Sequence, residues 1–486
     1  MAHRSGETPA SPGASVDTPL HEAAASAARQ EAARLTAMDV HGTVLTWVDN
    51  AGITRVKAVP TARLAHAAQW GVGMSPVFDV YLSDDSAVTS RHIGGPDGDL
   101  RLFPDLDRLT VLAAQPGWAW APADRNEQDG TPYAACQRGF ARRMTERAAQ
   151  AGLELRMGYE TEWVVTLTGG REGEEAAGKA VAGDGARAAN GAPRYAAPGP
   201  AYGMTRMVGL SDYVRDVLRA LAAQDIDVLQ IHPEYSPGQF EVSTAAAGPV
   251  TAADHAVLVR ETIRAVSARH GLHATFAPLV EPGTVGNGAH LHLSLRQDGG
   301  NLFRGGDGPF GMTRPGEAFL AGILHELPAL LAVTAPHPAS YLRLAPSRWA
   351  GVFQCWGPEN REAALRFIPG AALDADSANA EIKCVDATAN PYLTAGAVIA
   401  AGLNGMEQKY SLPDPVSGDP AVTGAAVPRL PTSLPEALDR FRCSDVLREA
   451  LGEPLYEAFL AVREGEQART RDDSPEALVA GLRHRY

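Results

Sequence analysis

Three short segments of the chain place acidic, imidazole or ammonium side chains two positions apart. The segments are Glu160-Thr-Glu162, His290-Leu-His292 and Glu381-Ile-Lys383. Residues two apart on a β-strand point to the same face, so each segment would present two polar groups to one surface. The apolar residues that alternate with them can face a core and hold the strand in place. The spacing therefore predicts a polar site built on a sheet.

A fourth segment carries Glu234 and Glu241 on either side of Pro237 and Gly238. A turn at this Pro-Gly pair would fold the two carboxylates toward each other. The candidate site then contains five carboxylates, those of Glu160, Glu162, Glu234, Glu241 and Glu381. Carboxylates that converge without cations repel one another and their pKa values rise. The pattern thus predicts bound cations.

Two divalent cations would nearly balance five negative charges. A ligand set rich in carboxylates with one imidazole favours hard ions such as Mg²⁺ or Mn²⁺ over Zn²⁺. Two such ions can hold a transferring phosphoryl group from both sides, which indicates phosphoryl-transfer chemistry. Each segment alone also suits a solvated strand face or a buried core histidine. The order and the shared strand setting of all the segments favour a single functional site.

The elements that position these groups are also predicted by local patterns. Alternating β-branched residues around an Asn-Ala-Gly turn predict a hairpin at residues 42–48 and 53–59, and a strand is predicted at 153–165. Apolar spacing and end signals predict helices. The predicted helices span residues 21–38, 60–70, 133–151, 211–224, 254–270, 316–333 and 391–403.

Composition suggests how the chain is divided. Residues 1–20 are rich in Ser, Pro, Gly and Ala and predict a disordered tail, and the Gly-, Ala- and Glu-rich stretch 169–200 predicts a surface loop. A length of 486 residues suits two or three domains. We expect a β-rich N-terminal domain over residues 21–128 and a larger domain over 129–486.

Charge and hydropathy exclude several classes of protein. A net charge of −14 argues against a nucleic-acid partner, because phosphate binding requires a basic face. We find no uninterrupted apolar run of about 18 residues and no signal-peptide pattern, so we expect no membrane partner and a cytoplasmic location. The four cysteines are scattered without a CxxC pair, which argues against a disulfide framework or a zinc knuckle.

The chain resembles the glutamine synthetase family from about Asp39 to the C-terminus. The motifs that carry the resemblance stand in the family's order: GYETEW, HPEYSPGQFEVS, GNGAHLHLSL, SYLRLAP, WGPENREAALRFIP and EIKCVDATANPYL. The resemblance implies an α+β fold, with an N-terminal β-grasp domain and a catalytic domain made of a curved antiparallel sheet with helices. It also implies two to three Mg²⁺ or Mn²⁺ ions per site, with ATP as a co-substrate.

The resemblance implies roles for individual residues. The implied metal ligands are Glu162, Glu234 and Glu241 for one ion and Glu160, His290 and Glu381 for the ion on the nucleotide phosphates. The implied nucleotide and phosphate contacts are His292, Ser294, Arg361 and Arg366. The implied substrate-binding residues are Arg343 for an α-carboxylate, Gly286, Lys383 and Trp349.

The sequence departs from the family pattern where the nitrogen nucleophile would bind. Glutamine synthetases carry a glutamate after the SYxRL motif that helps to bind ammonium, and Trp349 stands at that position. An indole cannot accept a proton, but it can stack on an alkylammonium group. The family's second residue beside the ammonium ion is an aspartate of the N-terminal domain. Asp79, Asp84 and Asp85 are the candidates for it, and the sequence does not choose between them.

Four further departures concern the acid substrate. Lys383 replaces an arginine that faces the reacting carboxylate, so a point charge replaces a two-pronged donor. Val285, Asn379 and Leu279 replace an asparagine, an arginine and a lysine of the family pattern. The acid could therefore be glutamate or a relative of glutamate, and glutamate is favoured because Arg343 and Gly286 are retained.

These observations predict an ATP-dependent ligase. It would join L-glutamate to an organic amine, such as a polyamine, ethanolamine or another monoamine, through a γ-glutamyl phosphate. A glutamine synthetase that uses ammonia and a non-catalytic regulatory member of the family are the alternatives. The resemblance also implies a homo-oligomer, a dodecamer of two hexameric rings with active sites between subunits.

Overall fold

The structure is a computed structural model that describes residues 18–95, 97–168, 193–371, 374–422 and 427–486. Residues 1–17 of the predicted tail and residues 169–192 of the predicted loop lie outside the described residues. The described residues form two sheets with helices packed around them.

The first sheet lies in the N-terminal part of the chain. Its strands are β1 (Gly42–Val48), β2 (Thr54–Pro60), β3 (Val72–Met74), β4 (Leu100–Pro104), β5 (Thr110–Val111) and β6 (Trp118–Asn126). The strand order is β2-β1-β6-β4-β3, and β5 pairs with β6. The predicted hairpin is confirmed, because β1 and β2 are antiparallel neighbours. The pairing of β1 with β6 is parallel and joins strands that are far apart in sequence.

The second sheet carries the segments predicted to do chemistry. Its strands are β7 (Glu154–Leu167), β8 (Val228–Pro233), β9 (Gln239–Thr244), β10 (Leu272–Thr275), β11 (Leu291–Gln297), β12 (Gly300–Asn301), β13 (Phe353–Pro358), β14 (Ala363–Ile368) and β15 (Asn379–Ile382). The order is β13-β14-β15-β11-β7-β9-β8, with β10 beside β7 and β12 beside β11. The central pairings of β7, β9, β11, β14 and β15 are antiparallel.

Helices of more than one turn surround the two sheets. They are α1 (Thr18–Ala37), α2 (Leu64–Trp70), α3 (Gln137–Gln150), α4 (Met204–Gly209), α5 (Ser211–Ala222), α6 (Pro249–Arg269), α7 (Arg314–Thr334), α8 (Ser340–Arg343), α9 (Pro391–Gln408), α10 (Leu434–Arg442), α11 (Asp445–Leu451), α12 (Glu453–Arg469) and α13 (Pro475–Leu482). The predicted helices are confirmed with shifted ends. Helix α1 begins at Thr18, within the stretch predicted as a tail.

The core behind the second sheet is built on α9. Helices α7 and α3 pack against α9. The α7 contact is close because both helices present glycine there: a Cβ on Gly322 would lie 2.3 Å from the carbonyl oxygen of Ala401. Among the described residues, α7 is also the one helix long and apolar enough to span a membrane, with a mean hydropathy of 1.4. Since 89% of that stretch is buried within the fold, we assign α7 to the protein core.

Candidate active site

Strand register brings the predicted polar groups of the second sheet together. Glu162 on β7 lies opposite Glu241 on β9. His292 on β11 and Arg366 on β14 both lie opposite Glu381 on β15, one from each side. Cross-strand partners are about 5 Å apart, so five strands supply one cluster of charged side chains.

The first half of the cluster surrounds two buried or half-buried histidines. The Nδ1 atom of His290 is 3.1 Å from Glu160 Oε2 and 3.1 Å from Glu381 Oε1. The Nε2 atom of His292 is 3.2 Å from Glu160 Oε1. Lys383 Nζ donates to Glu381 Oε1 at 2.8 Å, and Arg366 donates to Glu381 Oε2 at 3.1 Å. Glu381 is therefore the centre of this half.

The electrostatics of this half follow from those contacts. Burial acts to raise the pKa of Glu160, but the adjacent imidazoles of His290 and His292 hold that pKa well below its usual range. Burial acts in the same way on Glu381, and Lys383 and His290 hold its pKa well below the usual range. Burial and Lys383 act to lower the pKa of His290, yet its bonds to both carboxylates raise that pKa to about 9. The carboxylates of this half are thus anionic.

The second half is built on β7, β8 and β9 and includes a residue that the sequence analysis missed. His232 Nε2 is 3.5 Å from Glu241 Oε1, and His232 Nδ1 is 3.6 Å from Glu234 Oε1. His232 and Glu234 are two residues apart, so the spacing used for the other segments was a signal that could have found His232. Burial raises the pKa of Glu162 to about 7. The charge of His290 acts to lower this pKa, and the charge of Glu241 acts to raise it.

The donor set fits divalent cations. The potential ligand atoms of Glu160, His292 and Glu381 lie within 4.8 Å of one another, as do those of His232, Glu234 and Glu241. The Nε2 atom of His292 is buried and has no hydrogen-bond partner among the described residues, although a carboxylate oxygen lies near it. Carboxylates with imidazoles suit Mg²⁺ or Mn²⁺.

A cavity of about 700 Å³ opens over both halves of the cluster. Beyond the acidic residues, its walls include Gly286, Arg343, Lys383 and Val285. Arg343 is buried, and its guanidinium lies 3.1 Å from His290 Nε2. Gly286 belongs to the segment 285–288. The backbone carbonyl of Gly286 accepts a hydrogen bond of 3.0 Å from the side chain of Gln239, which places this backbone next to the site.

Gly288 is a second residue that the sequence analysis did not single out. A Cβ atom at this position would lie 2.5 Å from His290 Nε2, 2.8 Å from Arg343 and 2.8 Å from Glu162 Oε1. Only glycine leaves room for these three groups to converge. Gly288 stands in the quoted GNGAHLHLSL motif, but a motif does not reveal which of its glycines faces the site.

The two predicted arginines reach the same cavity from different elements. Arg366 lies on β14, and Arg361 is exposed in the turn that precedes it, yet both line the cavity. A second cavity of about 560 Å³ shares Glu160, His292 and Asn379 with the first. Ser294 lines this second cavity and not the first. The two cavities therefore adjoin at these shared residues.

Comparisons with known proteins agree with this geometry. A sequence model of the glutamine synthetase catalytic domain matches residues 134–477. The γ-glutamylpolyamine synthetase GlnA3 of Streptomyces coelicolor is 54% identical over 93% of this chain and 95% of its own length. A glutamine synthetase of Methanocaldococcus jannaschii is 31% identical over 79% of this chain and 82% of its own length. The crystal structure of a glutamine synthase homologue has a TM-score of 0.80 at 33% identity, covering 92% of this chain and 99% of that chain.

The chain belongs to the glutamine synthetase family. Membership confirms the predicted family and its α+β fold class. Glutamine synthetase family enzymes use ATP and divalent metals, in agreement with the acidic clusters.

The departures from the glutamine synthetase pattern have definite places in the structure. Trp349 lines the first cavity, 42% exposed, and its ring lies 5.3 Å from that of Tyr235. Val285 lines the same cavity, and Asn379 Oδ1 accepts a 2.9 Å hydrogen bond from His292 Nδ1. Leu279 is buried, 1% exposed, and lines neither cavity.

The three candidate aspartates of the N-terminal region do not line the cavity of their own chain. Asp79 is fully buried, and Arg125 Nη1 donates to both of its carboxylate oxygens, at 2.8 and 2.7 Å. Asp84 caps the backbone of Ser86, and Asp85 bonds Arg55 at 2.7 Å. In this glutamine synthetase family member, Asp79 therefore stabilises the N-terminal sheet.

Proposed function

We propose that this protein is an ATP-dependent ligase that forms a γ-glutamyl amide from L-glutamate and an organic amine, with a polyamine as the favoured amine. The predicted class of glutamate–amine ligase is confirmed by the family and by the 54% identical γ-glutamylpolyamine synthetase. The observation that carries the choice of amine is Trp349 in the cavity wall.

The reaction has two steps that this chain's residues support. The γ-carboxylate of glutamate takes the γ-phosphoryl group of ATP and ADP leaves. The amine then attacks the acyl phosphate, loses a proton and releases phosphate. We assign Arg343 to the α-carboxylate of glutamate and Lys383 to its reacting carboxylate. Arg361 and Arg366 stabilise the charge on the phosphoryl oxygens, because guanidinium groups donate to equatorial oxygens in a protected site.

The acidic clusters would hold the divalent ions. We assign Glu162, Glu234 and Glu241 to one ion and Glu160, His290 and Glu381 to the other, as the family resemblance implies. Bound ions of this kind neutralise phosphate charge and orient the phosphoryl group. His232 and His292 lie next to these carboxylates. His292 and Ser294 border the cavity proposed for the nucleotide.

The amine side of the cavity combines aromatic and anionic surface. Trp349 and Tyr235 face each other at the mouth, and Glu234 and Glu241 lie in the same cavity. An aliphatic cation is held by such a surface through apolar contact and cation–π attraction. Ammonium has no aliphatic part, so it would gain only the cation–π attraction.

A nearby carboxylate that replaced the lost glutamate would favour a glutamine synthetase. Glu362 is the closest candidate, because one of its oxygens accepts a 2.8 Å bond from the backbone N–H of Trp349. Glu362 is only 8% exposed and does not line the cavity. It therefore is not presented to ammonium in this arrangement, which supports the organic amine.

Phosphate release from Mg-ATP and L-glutamate tests the proposal. Ammonium would be compared with a polyamine, a diamine, ethanolamine and a simple monoamine at equal concentrations. We expect turnover with the polyamine or diamine and little with ammonium. Efficient turnover with ammonium would make the protein a glutamine synthetase, and no turnover with any donor would direct attention to the acid substrate at Lys383 and Val285.

We also propose that the protein is cytoplasmic and forms a dodecamer of two hexameric rings, with sites shared between subunits. Supporting this proposal, large apolar side chains are exposed beside the cavity, on and next to α4 and β8. They are Tyr202, Met204, Val208 and Leu229, with exposures of 59%, 72%, 64% and 66%. Light scattering coupled to gel filtration measures the assembly, and a monomer would refute it. We further propose a domain boundary near residue 128, between β6 and α3.

A further inference from the structure

The loop that carries Trp349 has an unusual backbone. Ser347 and Trp349 both lie in the left-handed region, each with φ of 56°. A bulky side chain rarely adopts this conformation, which persists only where the surroundings hold it. The contacts that hold the loop therefore decide where the indole stands.

Each of these two residues is bound by a carboxylate from outside the loop. The backbone N–H of Trp349 donates to Glu362 Oε1 at 2.8 Å, and the hydroxyl of Ser347 donates to Asp419 Oδ2 at 2.6 Å. The carboxyl group of Glu362 is buried, while Trp349 itself is 42% exposed. The buried carboxylate of Glu362 thus holds its position, and the position of the exposed Trp349 indole depends on it.

Glu362 is itself held in a rigid turn between β13 and β14. Its backbone N–H donates to the side chain of Asn360 at 3.0 Å. The amide of Asn360 donates to the carbonyls of Val416 and Gly418 at 2.8 and 3.0 Å, next to Asp419. Both carboxylates that hold the loop therefore belong to one connected unit. The same turn carries Arg361 in the cavity wall.

The held indole is a partly exposed part of the cavity wall. Trp349 reaches Tyr235, whose ring lies 5.3 Å away in the turn between the candidate ligands Glu234 and Glu241. A shift of the loop would move the indole away from Tyr235 and open the amine side of the cavity. Glu162, Glu241 and Arg366 are carried by strands and would keep their places.

We propose that Glu362 is a positioning residue that sets amine selectivity by fixing Trp349 over the cavity mouth. This inference rests on the proposed function, since it concerns the amine of that same reaction. Loss of the carboxylate raises the KM of a large amine, because the indole no longer stands in one place. A nucleophile too small to touch the indole is not affected.

The test compares Glu362→Ala and Glu362→Gln with the wild type, using Asp414→Asn as a matched control that removes an exposed carboxylate. γ-Glutamyl product formation is measured with the amine that the wild type uses best and with hydroxylamine. In E362A we expect the amine KM to rise about tenfold, in line with the loss of one charge-assisted hydrogen bond. The KM of hydroxylamine stays unchanged. E362Q restores most of the amine affinity, because its amide oxygen still accepts from Trp349.

Equal losses with both nucleophiles, or an unchanged amine KM in E362A, would overturn the role of Glu362. If E362A does not fold, Ser347→Ala removes the second contact at an exposed position and must show a smaller rise in the same direction. A wild type that prefers ammonium to every amine would instead overturn the proposed function, and the role of Glu362 with it. Thermal unfolding and gel filtration confirm that each variant is folded.

Discussion

Replacing Trp349 by alanine tests whether the indole selects the amine. The side chain is 42% exposed, so the protein covers only part of it and the rest borders the cavity. An aliphatic amine that covers about 50 Å² of this surface gains about 1.2 kcal/mol at about 25 cal/mol per Å². A cation–π contact at a partly exposed site adds about 0.5–1 kcal/mol.

The two contributions sum to about 2 kcal/mol, which corresponds to about a 30-fold loss of kcat/KM for the amine. Ammonium has no aliphatic part, so its kcat/KM should fall by much less. The assay measures kcat/KM for the best amine and for ammonium at saturating Mg-ATP and glutamate. The quantity of interest is the ratio of the two values.

Trp70→Ala is the matched control, because Trp70 is similarly exposed, 46%, and lies on α2 outside the cavity. This variant should keep the wild-type ratio. If W349A lowers both kcat/KM values equally, the indole supports the site as a whole and does not select the amine. If W349A leaves both kcat/KM values unchanged, the amine binds elsewhere and Trp349 is not part of the amine site.

Three further predictions concern stability and metal binding. Asp79→Asn should destabilise the fold by about 3–5 kcal/mol, measured by denaturant unfolding, because it leaves the fully buried Arg125 without its anionic partner; a loss of activity without a loss of stability would point to a catalytic role. Burial acts to raise the pKa of Glu466, but its bond with His337 holds that pKa well below the usual range. A carboxyl group whose pKa is lowered by folding stabilises the folded state above its unfolded pKa, and this stabilisation is lost as the pH falls. The difference in Tm between wild type and Glu466→Gln should therefore be full at neutral pH and shrink below about pH 4.5. A difference in Tm that is independent of pH would refute this. Glu241→Gln should weaken Mn²⁺ binding at least about tenfold by calorimetry, whereas Asp414→Asn should not, and equal affinities would remove Glu241 from the metal site.

Local patterns were sufficient for much of this protein. The two-residue spacing of Glu160 with Glu162 and of His290 with His292 predicted polar groups on one strand face, because strand geometry makes that relation local. The Asn-Ala-Gly turn predicted the hairpin of β1 and β2 for the same reason. The ordered motifs predicted the family, and with it the α+β fold.

Other features depend on contacts between residues far apart in sequence, which local patterns do not contain. His232 joins the acidic cluster only because β8 and β9 pair in one particular register. The structure pairs Asp79 with Arg125, 46 residues away, and so separates it from Asp84 and Asp85, which the sequence left equivalent.

The amine side shows the same division. The sequence identified Trp349 as the residue that replaces a glutamate, because its place after the SYxRL motif can be counted along the chain. Only the tertiary structure shows that its backbone is held by Glu362 and its ring faces Tyr235, because those contacts join three separate segments. Residue types thus determined which chemistry is available, and packing determined which of those residues meet and how the cavity mouth is closed.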